Sequence, residues 1–424
     1  MTIITIEETA EIGGALRAPP SKSYTHRSII AASLSEGTSK IYSPLFCDDT
    51  LATLKACASF GIAIKKSDEG LVIEGSAQLK APRNKIDCQA SGSTIRFLTS
   101  IAAFANGKTV LSGLPSLKRR PIAPLLKALR QLGVQCCSDN GFPPVTVCNG
   151  GIKGGAASLV GDISSQFVSS LLLACPMAEK KTQIYLTTPL ESKPYVELTL
   201  SVMGKHGVYV NTSPDFRRFE IPPRQKYRSH DHHVPGDFSS AAFLLAAATV
   251  TESQIRIDGL ALNQPDSDII HILRRMGIKV RFDGGSAQVF GGKLKAIHID
   301  AKDVPDLVPI CAVLACFADG TTKIYGVKRL RFKETDRLMT MSLELKKMSA
   351  NITYNEDTLI IEGSSTLKGA TVNSHNDHRI AMACAIAALR AKGKTKIIDA
   401  ESVEKSYPDF FNDLKKLGVK INVS

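Results

Sequence analysis

The 424-residue chain has no tryptophan, and aromatic residues make up only 6% of it. That scarcity weighs against a nucleic-acid groove, where bases stack on aromatic side chains. Its ten cysteines are scattered, Cys136 and Cys137 adjacent and none in a CxxC pair, so neither a disulfide framework nor a zinc site is expected. No stretch approaches the roughly 20 uninterrupted apolar residues of a membrane span. The longest apolar runs, such as residues 241–250, have the length of buried helices. The opening MTIITIEETAEIGG carries acids early and no basic flank before an apolar run, unlike a secretory signal. These absences point to a reduced, cytoplasmic protein with no membrane partner.

What is present is a globular composition, 43% hydrophobic and 22% charged, with a net charge of +13. The excess of cations favours an anionic partner. A chain this long exceeds what one core usually serves, so two domains are expected. Six segments align along it, opening at SKSYTHR, SGSTIRF, SSQFVSS, GDFSSAA, PDLVPIC and NDHRIAM. Each starts with small or polar residues suited to a helix N-terminus, continues as Ala- and Leu-rich helix and ends in a short alternating strand. The starts recur about every 70 residues, longer than the period of ordinary solenoids.

A second helix and strand follow each time. In five repeats Gly61, Gly133, Gly207, Gly277 or Gly418 stands where a helix C-terminus requires positive φ; in the fifth repeat Ala350 or Asn351 is expected there. Alternating strands and helices define an α/β or α+β class. Pro-rich stretches near 18–21 and 229–237 are the expected crossings. They make one domain of residues 19–232 and another of 1–18 with 233–424, three repeats each, with a ligand cleft expected between them.

Cations gather at the repeat openings. Lys22, Ser23 and Arg27 fall at a helix start, a natural phosphate seat. Gly92 permits close backbone approach, with Arg96 following on the helix. Lys118, Arg119 and Arg120 precede Pro121, expected as a first helical residue. Ser164, Ser165 and Gln166 offer hydroxyls and an amide beside helix N–H groups, and Ser192, Lys193 and Tyr195 sit at a turn before a helix. In RLRFKETDRL, Glu334 and Arg337 are three apart, so a helix sets them on one face. An exposed pair of that kind contributes only about 0.3–0.5 kcal/mol, a weak reason to crowd so many charges together. Asp306 sits at another repeat opening, where an N-cap is the plainest role.

In order, PSKSYTHR, SGSTIR, RRP, SSQ, SKPY, PD, KETDR, NDHR and KSYPDF resemble the 5-enolpyruvylshikimate-3-phosphate synthase family over nearly the whole chain. The resemblance implies two domains of three βαβαββ units each, the inside-out α/β barrel of enolpyruvyl transferases. It implies transfer of the enolpyruvyl group of phosphoenolpyruvate to the 5-hydroxyl of shikimate 3-phosphate, in chorismate biosynthesis, by a monomer that needs no metal or organic cofactor. By motif, Lys22, Ser23, Arg27, Ser164, Ser165, Gln166, Ser192, Tyr195, Asp306, Arg329 and Lys333 are implied to bind shikimate 3-phosphate. Lys22, Gly92, Arg120, Gln166, Arg337, Arg379 and Lys405 are implied to hold phosphoenolpyruvate, with Asp306, Glu334 and Lys22 moving protons. The sequence departs from the commoner family pattern at Ala90, where many relatives carry Asn, at Ser93, where Thr is usual, and at Arg329, where Asn is common.

Two other readings compete with this one. UDP-N-acetylglucosamine enolpyruvyl transferases resemble the chain in their repeats but use a loop cysteine, and LSGLPSLKRRP has none. A non-catalytic RNA or polyanion binder accords with the net charge alone. His230, His232 and His233, in a proline-bordered linker, are expected to be solvated hinge residues and not metal ligands.

Overall fold

The computed structural model describes residues 2–363 and 366–423. The chain divides into two compact units, Pro20–Val234 and Met1–Pro19 with Pro235–Ser424. Each has its own hydrophobic core. The chain therefore crosses between units after Pro19 and after Val234, close to the proline-rich stretches.

Six sheets share one plan: a parallel pair at one edge, then two antiparallel pairs. In one of them Gly155–Leu159 runs parallel to Thr182–Leu186, which pairs antiparallel with Arg218–Ile221, itself antiparallel to Asn211–Thr212. The helix Ser165–Ala174 makes the crossover between the two parallel strands. Helices in this position are Ala- and Leu-rich with charge only near their starts, and a helix apolar all round is buried all round. Every residue of Phe238–Val250, Val308–Cys316 and His378–Ala388 is buried.

The second helix of each repeat is one-sided. Arg337–Lys347 buries Leu338, Met341 and Leu345 at helical spacing and exposes Met339 and Leu343. The five expected glycines all have left-handed φ at the helix end. In the fifth repeat neither Ala350 nor Asn351 takes that place; Ser349 does, with φ 69°. Its N–H donates to Lys346 O (2.9 Å) and the N–H of Ala350 to Leu345 O (3.0 Å), the paired bonds that close a helix whose next residue turns left-handed. Pro121 is likewise not a first helical residue. The helix is Ala123–Gln131, with Pro124 in its first turn, and Pro121 lies in the connection before it.

Each unit is completed by strands from distant parts of the chain. Tyr227–Arg228 runs parallel to the start of Ser35–Tyr42, and Gly13–Arg17 runs parallel to Gln254–Asp258. In the last sheet Ile3–Glu7 lies between Lys394–Ile398 and Ile421–Val423, antiparallel to both. It fills the position that the closing hairpin strand takes in the other repeats, and it buries Ile4 and Ile6.

The expectation of solvated histidines holds for exposed His233 but not for His232. His232 pairs in a strand beside Ile41 and is 1% exposed. Its Nε2 lies 2.8 Å from His206 Nε2 and its Nδ1 3.1 Å from the Tyr24 hydroxyl. Burial pushes its pKa down to about 3, so the ring is neutral and can act as a hydrogen-bonded core group.

Candidate active site

In the unit Pro20–Val234, the three crossover helices Lys22–Leu34, Gly92–Ile101 and Ser165–Ala174 begin after Ser21, Ser91 and Ser164. Each serine hydroxyl accepts one backbone N–H of the first turn, from Tyr24, Thr94 and Gln166 respectively. A neutral cap leaves the positive end of the helix uncompensated by a local carboxylate, which suits an anion.

The cations of this unit are already oriented by the protein. Lys22 Nζ lies 3.1 Å from Asp49 Oδ2, both largely buried. Arg27 is 2% exposed. Its Nε donates to Thr199 Oγ1 (2.7 Å), Nη1 to Ser23 O (2.9 Å) and Nη2 to Tyr195 O (3.0 Å). Burial lowers its pKa to about 10, with Tyr195 acting the other way. Arg96, on the Gly92–Ile101 helix, donates to Gln166 Oε1 (2.7 Å) and to Ser164 Oγ (3.3 Å). Gln166 in turn donates to Ser93 Oγ (2.9 Å). The Arg120 guanidinium lies over Gly92 so closely that a β-carbon there would sit 2.6 Å from its Nη1. Ser192, at φ 56°, turns the chain into the helix Lys193–Lys205, and its carbonyl accepts the Tyr195 N–H (3.1 Å).

In the other unit the corresponding helix openings carry carboxylates, Asp237, Asp306 and Asp377. Asp306 does not act as a side-chain cap. It lies in the single turn Pro305–Leu307 and accepts from Arg337 Nη1 (2.9 Å), Arg379 Nη2 (3.1 Å) and Lys333 Nζ (3.3 Å). Burial alone would raise its pKa, but Arg379, Lys333 and Arg337 outweigh it and hold the carboxyl well below the usual range.

Arg337 is the hub. It is 1% exposed, and it donates from Nε to Asp377 Oδ2 (2.8 Å), from Nη1 to Asp306 and from Nη2 to Glu334 Oε2 (2.9 Å). Burial opposes its charge, yet Asp377, Glu334 and Asp306 together raise its pKa. Glu334 also lies 3.5 Å from Lys405 Nζ. Glu334 and Arg337 do not share a helix, because the helix begins at Arg337, capped by Asp336; the bend before it brings Glu334 back to the guanidinium. The pair is buried, so the energy of an exposed pair does not apply. Deleting one partner of a buried ion network typically costs about 3–5 kcal/mol.

Burial of Lys333, partly offset by Asp306, lowers its pKa to about 8. Arg329 does not face water: it is 5% exposed and its guanidinium donates to the Lys302 carbonyl.

The structure thus joins Asp306, Lys333, Glu334, Arg337, Arg379 and Lys405 in one network, and within the other unit joins Ser164 and Gln166 through Arg96, and Ser23, Arg27 and Tyr195 through Arg27. Sequence reasoning missed Asp377, Asp49 and the tie from Arg96 to Gln166. Asp377 stood within NDHR, and only its burial against Arg337 reveals what it does.

Four cations, Lys333, Arg337, Arg379 and Lys405, surround three carboxylates, Asp306, Glu334 and Asp377. Buried ion networks contribute little net stability, so stability alone does not account for this one. Fold and site define an α/β class built of βαβαββ repeats, in which buried arginines and lysines stand beside buried carboxylates. Residues 6–414 match the family model described as EPSP synthase (3-phosphoshikimate 1-carboxyvinyltransferase), and the chain belongs to that family. It is 47% identical over 419 residues to the 3-phosphoshikimate 1-carboxyvinyltransferase of Methanocella arvoryzae, covering 98% of both chains. With that of Methanocaldococcus jannaschii it shares 43% over 432 residues, covering 100% of both. A solved EPSP synthase from Acinetobacter baumannii superposes with a TM-score of 0.83 at 31% identity, covering 100% of both chains.

Proposed function

We propose that this chain is an enolpyruvyl transferase that joins phosphoenolpyruvate to the 5-hydroxyl of shikimate 3-phosphate and releases phosphate. The observation that carries the reading is the network around Arg337, where cations outnumber carboxylates by one and two carboxylates, Asp306 and Glu334, stand beside guanidinium and ammonium groups. Arg337, Arg379 and Lys405 supply the planar and point charges that a carboxylate and a phosphate require. In the unit Pro20–Val234, Lys22, Ser23, Arg27, Ser164, Ser165, Gln166, Ser192 and Tyr195 would hold shikimate 3-phosphate, and Gly92, Arg120 and Gln166 would help hold phosphoenolpyruvate. Lys22 would serve both substrates. Arg329 and Lys333 would add charge toward shikimate 3-phosphate.

The chemistry calls for three proton transfers. A proton is added to the methylene carbon of phosphoenolpyruvate, and the positive charge that develops at C2 is captured by the 5-hydroxyl oxygen as that hydroxyl loses its proton. The resulting adduct then expels phosphate and returns a proton from the methyl group. Asp306 acts as the base toward the hydroxyl, and Glu334 with Lys22 serves the methylene carbon. An ionised Asp306 is ready to accept a proton, but its depressed pKa makes it a weak base. Substrate anions that draw on Arg379 and Lys333 would raise that pKa toward the useful range. The same reading carries a cytoplasmic monomer without metal or organic cofactor.

The test is phosphate release from phosphoenolpyruvate in buffer with EDTA, offering shikimate 3-phosphate or UDP-N-acetylglucosamine. Release only with shikimate 3-phosphate supports the acceptor and the independence from metal. Folded protein that releases phosphate with neither acceptor refutes the reading.

A further inference from the structure

The buried carboxylate of Glu344 takes no part in the mechanism above. Glu344 lies two turns beyond Arg337 on the helix Arg337–Lys347, and its side chain is fully buried. Oε1 accepts from His375 Nε2 (2.8 Å) and Lys347 Nζ (2.9 Å), while Oε2 accepts from the backbone N–H of Asn373 (2.9 Å) and from Lys347 (2.8 Å). Asn373 and His375 belong to the segment that leads from the strand Thr371–Asn373 to Asp377. Within it His375 (φ 52°) and Asn376 (φ 58°) are consecutive left-handed residues, and neither is glycine. Such a turn persists only where its surroundings hold it.

The far end of the segment returns to the same helix. Asp377 binds Arg337 through both oxygens and also accepts the N–H of Arg379 (3.0 Å). Helix and segment are therefore tied twice, at Arg337 and at Glu344, about 10 Å apart along the helix axis. Two ties at that spacing fix the angle of the segment where one would leave it free to pivot.

We propose that Glu344 is a positioning residue: by holding Asn373 and His375 it sets the turn that seats Asp377 on Arg337 and presents Arg379 to the substrate anion. This rests on the functional reading above, in which Arg337 and Arg379 hold phosphoenolpyruvate. In Glu344→Gln an amide donor replaces one carboxylate oxygen and faces groups that already donate, so the near tie loosens with little change of volume.

The experiment measures both Michaelis constants for wild type and Glu344→Gln, with hydrogen exchange across residues 371–380. The expected result is a KM for phosphoenolpyruvate raised at least fivefold, a KM for shikimate 3-phosphate within twofold of wild type, and faster exchange at residues 373–377. An unchanged KM for phosphoenolpyruvate, or equal rises for both substrates, overturns the proposal. Should Glu344→Gln fail to fold, His375→Ala removes only the ring's bond at a half-exposed position. It is expected to raise the same KM two- to threefold, and no change there overturns the proposal too. A wild-type protein without turnover would instead sink the functional reading, and exchange alone would then decide whether Glu344 orders the segment, unchanged exchange refuting that as well.

Discussion

Asp306 shows how one side chain can be legible as a position and illegible as a role. Its place at a repeat opening marks it as a cap, yet three cations claim both its oxygens. Asp306→Asn leaves Arg337, Arg379 and Lys333 under-neutralised. A loss of about 3–5 kcal/mol in stability, read by urea denaturation, and at least a hundredfold fall in turnover are expected. Because the folded pKa of Asp306 is depressed, its contribution to stability is complete above the unfolded carboxyl pKa of about 3.9 and disappears as pH falls through the lower folded value. Asp306→Asn should remove that part of the acid dependence. Lys333 has the same sign in a different pH window. With a folded pKa of about 8 against about 10.4 unfolded, the folded state binds fewer protons between those values, so stability rises with pH across that window. Function should run the other way: kcat/KM falls above about pH 8 as Lys333 loses the charge that attracts anions, and Lys333→Arg should move that limb to higher pH.

At the scale of the element, the repeat openings were the most readable feature, because capping serines and small residues before an apolar helix are local signals. Gly92 illustrates the limit. Sequence marks it as permitting close approach, and the structure shows that Arg120 is what approaches. Gly92→Ala would push against the end of a flexible side chain, so the change in stability should stay within about 1 kcal/mol while the guanidinium is displaced. The expected outcome is a raised KM for phosphoenolpyruvate with a nearly unchanged melting temperature. Ser349 and Pro121 were misplaced by a residue or two, since helix ends depend on which residue can turn left-handed and on where the preceding chain is anchored. His232 was misread because a polar residue in a proline-rich stretch gives no sign of the strand pairing and histidine contact that bury it.

For the whole molecule, the consequence of the topology is unequal independence. Residues 20–234 are contiguous and enclose their own core, so expressed alone they should unfold in one cooperative transition. Residues 235–424 alone should not, because the strands Ile3–Glu7 and Gly13–Arg17 belong to their sheets. Losing buried Ile4, Ile6 and Ile12 removes roughly 5 kcal/mol or more of apolar burial, comparable with the whole stability of a typical domain. A peptide of residues 1–19 added to that fragment should restore structure measurable by circular dichroism.

The amino-acid sequence by itself determined the six repeats, the α/β class, the family resemblance and the residue types at each helix opening, since all of these are written in spacings of a few residues. Only the tertiary structure decided that Asp306, Glu334 and Asp377 converge on one buried arginine, that burial lowers the pKa of Lys333, and that the N-terminal strand completes the last sheet. Those facts depend on burial and on distances between residues far apart in the chain, which strand pairing and helix packing set and local pattern does not encode.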